Sequence, residues 1–408
     1  MTERVAAAVE QNTGSLRLLV YLMFLLFAMT SDAVGSVISE VVTQFHLSLT
    51  AAGAFHYVPM IAIALGGLAL GFVADRWGRK PAIVIGLTLY GMSSLLFAAG
   101  HAFGFFVALL AVSGLGISIF KVGGLALIGD IAPSSSLHTR LMNAAEGFFA
   151  VGSIIGPAVV ATLVKAGLSW KWLYVVAAIM CALLIVMAHR TSFPPSRAQQ
   201  PGALNVQSAL EVLKKPYALA IATLILLYVS VEVAIYVWMP TYVQRYRGAH
   251  SWLPIYGLTI FFVLRAAGRF LGVWLLQHLQ WQAVLALCGV AIAICFLGSL
   301  TGGVDMAAWL LPASGLAMSV IYPTLNSKGI NYFPQSLQGA AAGVFLFFTA
   351  AAAALGPLAM AAVSDALGDI RFGFVLAAGF AVLLCAGLIF NWIAPAAPAR
   401  LEQGQCRE

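Results

Sequence analysis

The chain has 408 residues, of which 62% are hydrophobic and only 9% charged, with a net charge of +7 and a mean hydropathy of +0.97. Soluble domains are roughly half apolar, so this composition excludes a soluble enzyme or a nucleic-acid-binding domain. It specifies an all-α protein that crosses a bilayer repeatedly. The 21 Lys and Arg residues are scattered over short connections and form no basic stripe.

A helix needs roughly 20 apolar residues to cross the hydrocarbon core. Gly, Pro and charge divide the chain into twelve such spans, expected near 16–38, 50–73, 81–100, 103–128, 139–165, 169–188, 216–240, 252–277, 281–301, 305–331, 337–363 and 371–393. Residues 1–188 form one six-helix bundle and 216–408 a second. Between them, residues 189–215 carry Pro194, Pro195, Arg197, Lys214 and Lys215 and read as a cytoplasmic linker. The first apolar stretch lacks a small-residue cleavage site and is long enough to cross, so it is expected to be retained as the first span.

The first span holds Asp32 in Met29-Thr30-Ser31-Asp32. A carboxylate so deep in a bilayer costs about 2.5–3.5 kcal/mol on insertion scales, so it must face a cavity or a partner. Its protonation follows the aqueous face it sees, which is the chemistry of a proton-coupled carrier; the alternative is a static pair with Lys121. Between the second and third spans, Gly71-Phe-Val-Ala-Asp75-Arg76-Trp77-Gly78-Arg79-Lys80 joins two apolar helices by a short basic turn, which favours the cytoplasmic face. His56 and the other histidines are scattered, and His56 beside Tyr57 reads as a cavity or packing residue.

Lys121 interrupts the fourth span and needs Asp32, Glu146 or a substrate anion. In the fifth span Asn143 and Glu146 share a helical face and are candidates for lining a cavity, or for bonding within the interfacial loop. The seventh span carries Glu232, for which Arg265 of the eighth is a candidate partner, with Arg269 on the same face. Trp238 is either a platform for a sugar ring or an interfacial belt residue. In the tenth span Tyr322, Asn326 and Lys328 surround Pro323, and a Pro-broken helix with exposed carbonyls suits a binding site.

The second half repeats the first at an offset of 200 or 201. Asp32 falls on Glu232, Phe148 on Phe348, Gly156-Pro157 on Gly356-Pro357, and Gly114 to Ser118 on Gly315 to Ser319. Two six-helix pseudo-symmetric bundles, each moving as one body, are expected from this duplication. With the N-terminus inside, twelve of the 21 cations fall on the inner face and five on the outer, leaving Lys121, Arg265, Arg269 and Lys328 within spans. That bias places both termini in the cytoplasm of a multi-pass protein of the cytoplasmic membrane. The five cysteines have no ligand-like spacing, so no disulfide framework, metal site or cofactor is expected.

The spacing G-x-x-x-D-R-x-G-R-K resembles the loop signature of the major facilitator superfamily, and Asp130, Pro133 and Arg140 resemble that family's next cytoplasmic loop. The resemblance implies twelve transmembrane helices and alternating access. It also implies a conformational latch built from Gly71, Asp75, Arg76, Gly78, Arg79, Lys80, Asp130 and Arg140. The counterpart after the eighth span, Gly268-Arg269 to Gly272 and Leu276-Gln277-His278, carries no acid, so the latch is expected to be one-sided. Asp32, the Arg140 to Glu146 stretch running into Gly152 to Pro157, and Glu232 to Trp238 with Tyr242 are similar to the fucose-galactose-proton symporters. Lys121 departs from that branch, which carries a carboxylate in the fourth span. The expected function is secondary active transport of a small polar solute, sugar or organic acid, by proton-coupled symport, with sodium as the alternative coupling ion. The protein is expected to be a monomer and not an enzyme. Gly152-x-x-x-Gly156-Pro157 also resembles drug-proton antiporters, giving efflux as an alternative, and a non-transporting membrane sensor or scaffold is the alternative of another class.

Overall fold

The computed structural model describes residues 2–132, 134–194 and 206–394, with side chains for all of these except 2–12, 67–76, 135–136, 139, 206–207 and 335–336. Pro133, Arg197, Arg400, Cys406, Arg407 and the middle of the expected linker lie outside the described residues, as does the side chain of Arg4. The chain divides into two compact units, Met1–Gln200 and Pro201–Glu408.

The first unit contains α1 (Thr2–Ser31), α2 (Val34–Phe45), a single turn α3 (Leu49–Ala52), α4 (Ala54–Arg76), α5 (Arg79–Leu96), α6 (Phe103–Ile131), α7 (Ser135–Lys165) and α8 (Trp172–Arg190). The second contains a short α9 (Val206–Leu213), then α10 (Pro216–Val243), α11 (Trp252–His278), α12 (Trp281–Thr301), α13 (Gly303–Met318), α14 (Ile321–Asn331), α15 (Gln335–Leu367) and α16 (Ile370–Ile393). Among the described residues, eleven helical stretches are long and apolar enough to cross a membrane. The remaining span is α5, whose 18 residues open with Arg79-Lys80, a pair that lowers its mean hydropathy.

Two spans differ from continuous helices. The first runs on to Phe45, beyond its expected end at 38, and breaks at Asp32-Ala33 between α1 and α2. The tenth breaks at Ser319-Val320, between α13 and α14. Pro323 explains the second break. Its ring clashes with the carbonyl four residues back, at Ser319, and in the first turn of α14 its missing N–H leaves no bond unmade.

Each unit is packed by the same pairings. In the first, α1 packs on α7, α4 on α6, and α5 on α6 and α8; in the second, α10 packs on α15, α11 on α13, and α12 on α13 and α16. Small residues permit the closest approaches, as expected where no hydrophobic effect drives helices together in lipid. The carbonyls of Leu25 and Met29 occupy the space that Cβ atoms at Gly152 and Gly156 would need. Gly356 faces Ser230, whose Cβ and Oγ would stand 3.0 Å from an added Cβ, one residue from the position that an offset of 200 predicts. Gly78, at the N-terminus of α5, has φ 93°, a conformation that side-chain-bearing residues resist.

Aromatic rings fill one end of the first unit, where Phe97 stacks on Tyr174 with centroids 4.0 Å apart and Trp170 meets Phe55 edge-on at 5.7 Å. Lys171 donates to the Gly100 carbonyl there at 2.6 Å. In the second unit Asp369 caps α16 and accepts from Arg245 at 2.7 Å. The Arg371 backbone N–H, and then the Arg245 guanidinium, hold the Asp369 carboxyl below the usual carboxylate range.

The glycine contacts make a paired prediction. Gly156→Val drives a branched side chain into the α1 backbone and is expected to cost at least the ~1–3 kcal/mol typical of overpacking. Gly147→Val, on the same helix with nothing near its Cβ position, is expected to leave the thermal unfolding midpoint near that of the parent. Equal midpoints for the two variants would contradict the packing described.

Candidate functional site

Each unit carries one cluster of ionisable groups at helical depth. In the first, Asp32 stands where α1 gives way to α2 and is 8% exposed. Its Oδ1 accepts from Ser31 Oγ at 3.0 Å and its Oδ2 from Ser153 Oγ of α7 at 2.5 Å. Ser153 Oγ also lies 3.1 Å from the Phe149 carbonyl. A hydroxyl has one proton and two lone pairs, so Ser153 serves both neighbours at once only by donating to Phe149 while accepting from a protonated Asp32. With Asp32 ionised, the same hydroxyl proton turns to the carboxylate. The geometry accommodates either form of the acid.

Beside the break, a void of about 30 Å³ is lined by Phe27, Thr30, Ser31, His56, Tyr90 and Ser113, among others. It has room for about one water molecule with polar partners. Thr30 Oγ1 and Tyr90 Oη are 2.6 Å apart on its wall, and Ser93 and Ser113 are hydrogen-bonded at 2.8 Å. His56 is 1% exposed, so it is a packing and cavity-wall residue of this unit.

Lys121 of α6 is not bonded to Asp32. Its Nζ lies over the Phe27 ring, 4.5 Å from the centroid, with the Phe24 ring at 6.0 Å. The carboxylates whose charge reaches it are Glu146 first and Asp32 second. Among the described residues no carboxylate oxygen stands within ion-pair distance of Lys121, so a static Asp32–Lys121 bridge is not the arrangement. A cation–π contact is worth about 0.5–2 kcal/mol and an ammonium at bilayer depth costs about 2.5–3.5 kcal/mol, so the rings offset only part of that cost. Asn143 and Glu146 are both exposed on α7.

The second cluster joins α10, α11 and the break in the tenth span. Arg265 Nη2 pairs with Glu232 Oε1 at 2.6 Å, as their depth suggested. Tyr228 Oη lies 2.9 Å from the same oxygen and 2.7 Å from the Met318 carbonyl. That carbonyl is the last of α13, and the break leaves it short of a helical partner. Tyr322 stacks on Tyr228 with centroids 6.4 Å apart and accepts from Thr349 at 3.4 Å. Asn326 is half-buried one turn further on. Arg269, four residues beyond Arg265, is half-buried too.

Trp238 corrects its expectation. It is 1% exposed, and its Nε1 donates to the Pro357 carbonyl at 3.0 Å. It is therefore a packing strut between α10 and α15, neither an exposed ring platform nor an interfacial belt residue. Lys328 is exposed, with its Nζ 5.9 Å from the Trp281 ring centroid.

Of the expected latch, Arg79 Nε pairs with Asp130 Oδ2 at 2.9 Å, with side chains 1% and 2% exposed. This ties the start of α5 to the end of α6. Lys80 Nζ donates to the His189 and Thr191 carbonyls at 3.0 and 3.3 Å, fastening α5 to the end of α8 and offsetting the C-terminal dipole there. Gly78 provides the turn, and Arg140 is exposed. The side chains of Asp75 and Arg76, and the surroundings of Gly71, lie outside the described residues.

Sequence reasoning missed Ser153, Tyr228 and Phe27. Ser153 stands three residues before Gly156 on the face that meets α1, and Tyr228 lies four residues before Glu232; both spacings were legible. Nothing in the order of residues places Phe27 against Lys121.

A family model for the Major Facilitator Superfamily matches residues 20–357. Among curated relatives, the uncharacterized MFS-type transporter EfpA of Mycobacterium tuberculosis (strain CDC 1551 / Oshkosh) is 27% identical over 161 residues, 39% of this chain and only 30% of that relative's length. The L-fucose-proton symporter of Escherichia coli (strain K12) is 22% identical over 426 residues, covering 94% of each chain. Among solved structures, the inward-facing bacterial homolog of the human lysosomal transporter Spinster superposes with a TM-score of 0.75 at 16% identity, covering 93% of this chain and 96% of that one.

The Arg79–Asp130 pair supports a double-mutant test. Breaking a buried pair by removing one partner costs about 3–5 kcal/mol, whereas apolar replacement of both is close to neutral. Arg79→Met and Asp130→Leu are each expected to lower the thermal midpoint sharply, and the double variant to recover most of the loss. A double variant no better than the worse single one would show that the pair is not acting as a unit.

Proposed function

This chain belongs to the Major Facilitator Superfamily, and from that premise we propose that it couples entry of a proton to uptake of a small polar solute. It is a multi-pass membrane protein of a secondary-transporter family and not an enzyme. The observation that carries the proposal is Asp32, a carboxylate at a helix break whose oxygens meet the hydroxyls of Ser31 and Ser153. A hydroxyl can bond either form of an acid, donating to the ion or accepting from the neutral group. Proton uptake at Asp32 therefore costs no hydrogen bond, and the break beside it gives α1 and α2 a place to change their mutual angle.

The Glu232–Arg265–Tyr228 network is the corresponding element of the second unit. It does a different task, because its acid is committed to a guanidinium. We assign it the role of holding the carbonyl at the α13 break, next to Tyr322 and Asn326, which contribute polar contacts to the solute. Charges of both signs at depth favour a polar cargo over an amphipathic drug, and hence symport over drug efflux. The excess of cations on one set of connections supports a reading with both termini in the cytoplasm and the Arg79–Asp130 latch on that face. A sensor or scaffold would bind its ligand without exchanging it.

The test uses the purified chain in proteoliposomes. The parent protein is expected to accumulate solute when the inside is made alkaline, and Asp32→Asn to lose accumulation while keeping counterflow exchange. Accumulation that ignores the imposed pH gradient removes the proton from the mechanism, and accumulation unchanged in Asp32→Asn removes Asp32.

A further inference from the structure

Lys121 is the cation set deep in a span of the first unit, and its ammonium rests on the faces of Phe27 and Phe24 instead of on a carboxylate. Asp32 is occupied by Ser31 and Ser153. Glu146, the acid whose charge reaches Lys121 most strongly, stays outside bonding distance and exposed. Lys121 itself keeps part of its surface open. A charge that rests on π-faces, with no carboxylate among the described residues at ion-pair distance, is underpaired.

We propose that Lys121 is the recognition residue for the carboxylate of a small monoanionic solute, held as an ion pair against the Phe27 ring with Glu146 as the competing acid. The assignment rests on the transport reading above and names the cargo class that it left open. A single ammonium fits a monocarboxylate. A phosphate dianion calls for several donors or a guanidinium fork.

Charge balance supports the choice. Empty, the cluster holds Lys121 as a cation with Asp32 and Glu146 as anions, a net charge of −1. Loaded with one carboxylate and one proton on Asp32, it holds Lys121, the solute anion and Glu146, again −1. The proton taken up with the anion on one side is released with it on the other, so no net charge crosses with the cargo. Uptake is thus expected to follow the pH gradient and to be indifferent to an imposed membrane potential. For a neutral sugar carried with a proton, a potential negative inside would accelerate uptake.

The experiment is thermal stabilisation of the purified full-length chain by galacturonate, gluconate and lactate, against galactose and fucose as neutral controls. Alongside the parent stand Lys121→Gln, Lys121→Arg and Lys121→Gln/Glu146→Gln. We expect a carboxylate to raise the parent's midpoint and the neutral sugars not to. Lys121→Gln should weaken the response about 10-fold or more, as loss of one partner of a desolvated charge pair does, while Lys121→Arg restores part of it. Without solute, Lys121→Gln should be no less stable than the parent, since it removes an underpaired charge. A structural role is read instead if Lys121→Gln alone lowers the midpoint and Glu146→Gln added to it restores the loss; that result overturns the proposal. So does stabilisation by galactose or fucose to the same extent as by the acids, or an acid response that survives in Lys121→Gln. Stabilisation by neutral sugar alone would leave proton-coupled transport standing, whereas carboxylate binding without counterflow would sink the transport reading and leave the anion site.

Discussion

The cost of placing an ionisable side chain where there is no water governs this molecule. Four arrangements in the described spans meet that cost by different devices. Asp32 takes hydroxyl donors that tolerate both of its protonation states. Glu232 takes a guanidinium and a phenol. Lys121 takes aromatic faces. Arg79 and Asp130 take each other, with almost no exposure. The first and third devices leave the charge adjustable, whereas the second and fourth fix it. Adjustable charges suit coupling and recognition, and fixed ones suit the frame that must stay rigid while those change.

The two units solve the same packing problem and diverge in chemistry. Gly156 faces Met29 and Gly356 faces Ser230 on corresponding helices, the first approach being the closer, and the pairings among the other helices repeat. Yet position 32 is an aspartate served by serines and position 232 a glutamate locked to Arg265. The helix breaks have also separated. In the first unit the chain breaks at the acid itself, and in the second it breaks at Ser319-Val320, where Tyr228 reaches the freed Met318 carbonyl. A duplicated scaffold repeats its helix pairings while its two deep acids meet different partners.

Much of the fold was legible because bilayer thickness imposes a length on every apolar run, and the breaks between runs are written in charge and Pro. The Arg265–Glu232 pair was legible too, since two opposite charges at depth leave few alternatives. The break at Asp32-Ala33 was not, because no Pro or Gly pair marks it, nor was the end of the first span at Phe45. Trp238 misled because a Trp beside Met239-Pro240 has the composition of an interfacial belt, while its indole N–H is spent on Pro357. Ser153 was passed over for the glycines around it. A small residue on a helix contact face reads as packing, and only the position of the opposite carboxylate shows that its hydroxyl has a use.

The central claim is that Asp32 changes protonation in place, with Ser153 turning its hydroxyl to match. Infrared difference spectroscopy on the protein labelled with carbon-13 aspartate, stepped between acid and alkaline buffer, measures this directly. The account predicts a carboxylic-acid carbonyl band that appears on acidification, shifts with the label, and is missing from Asp32→Asn. A spectrum in which that variant and the parent show the same protonated-carboxyl bands would contradict it, leaving Asp32 ionised in both buffers.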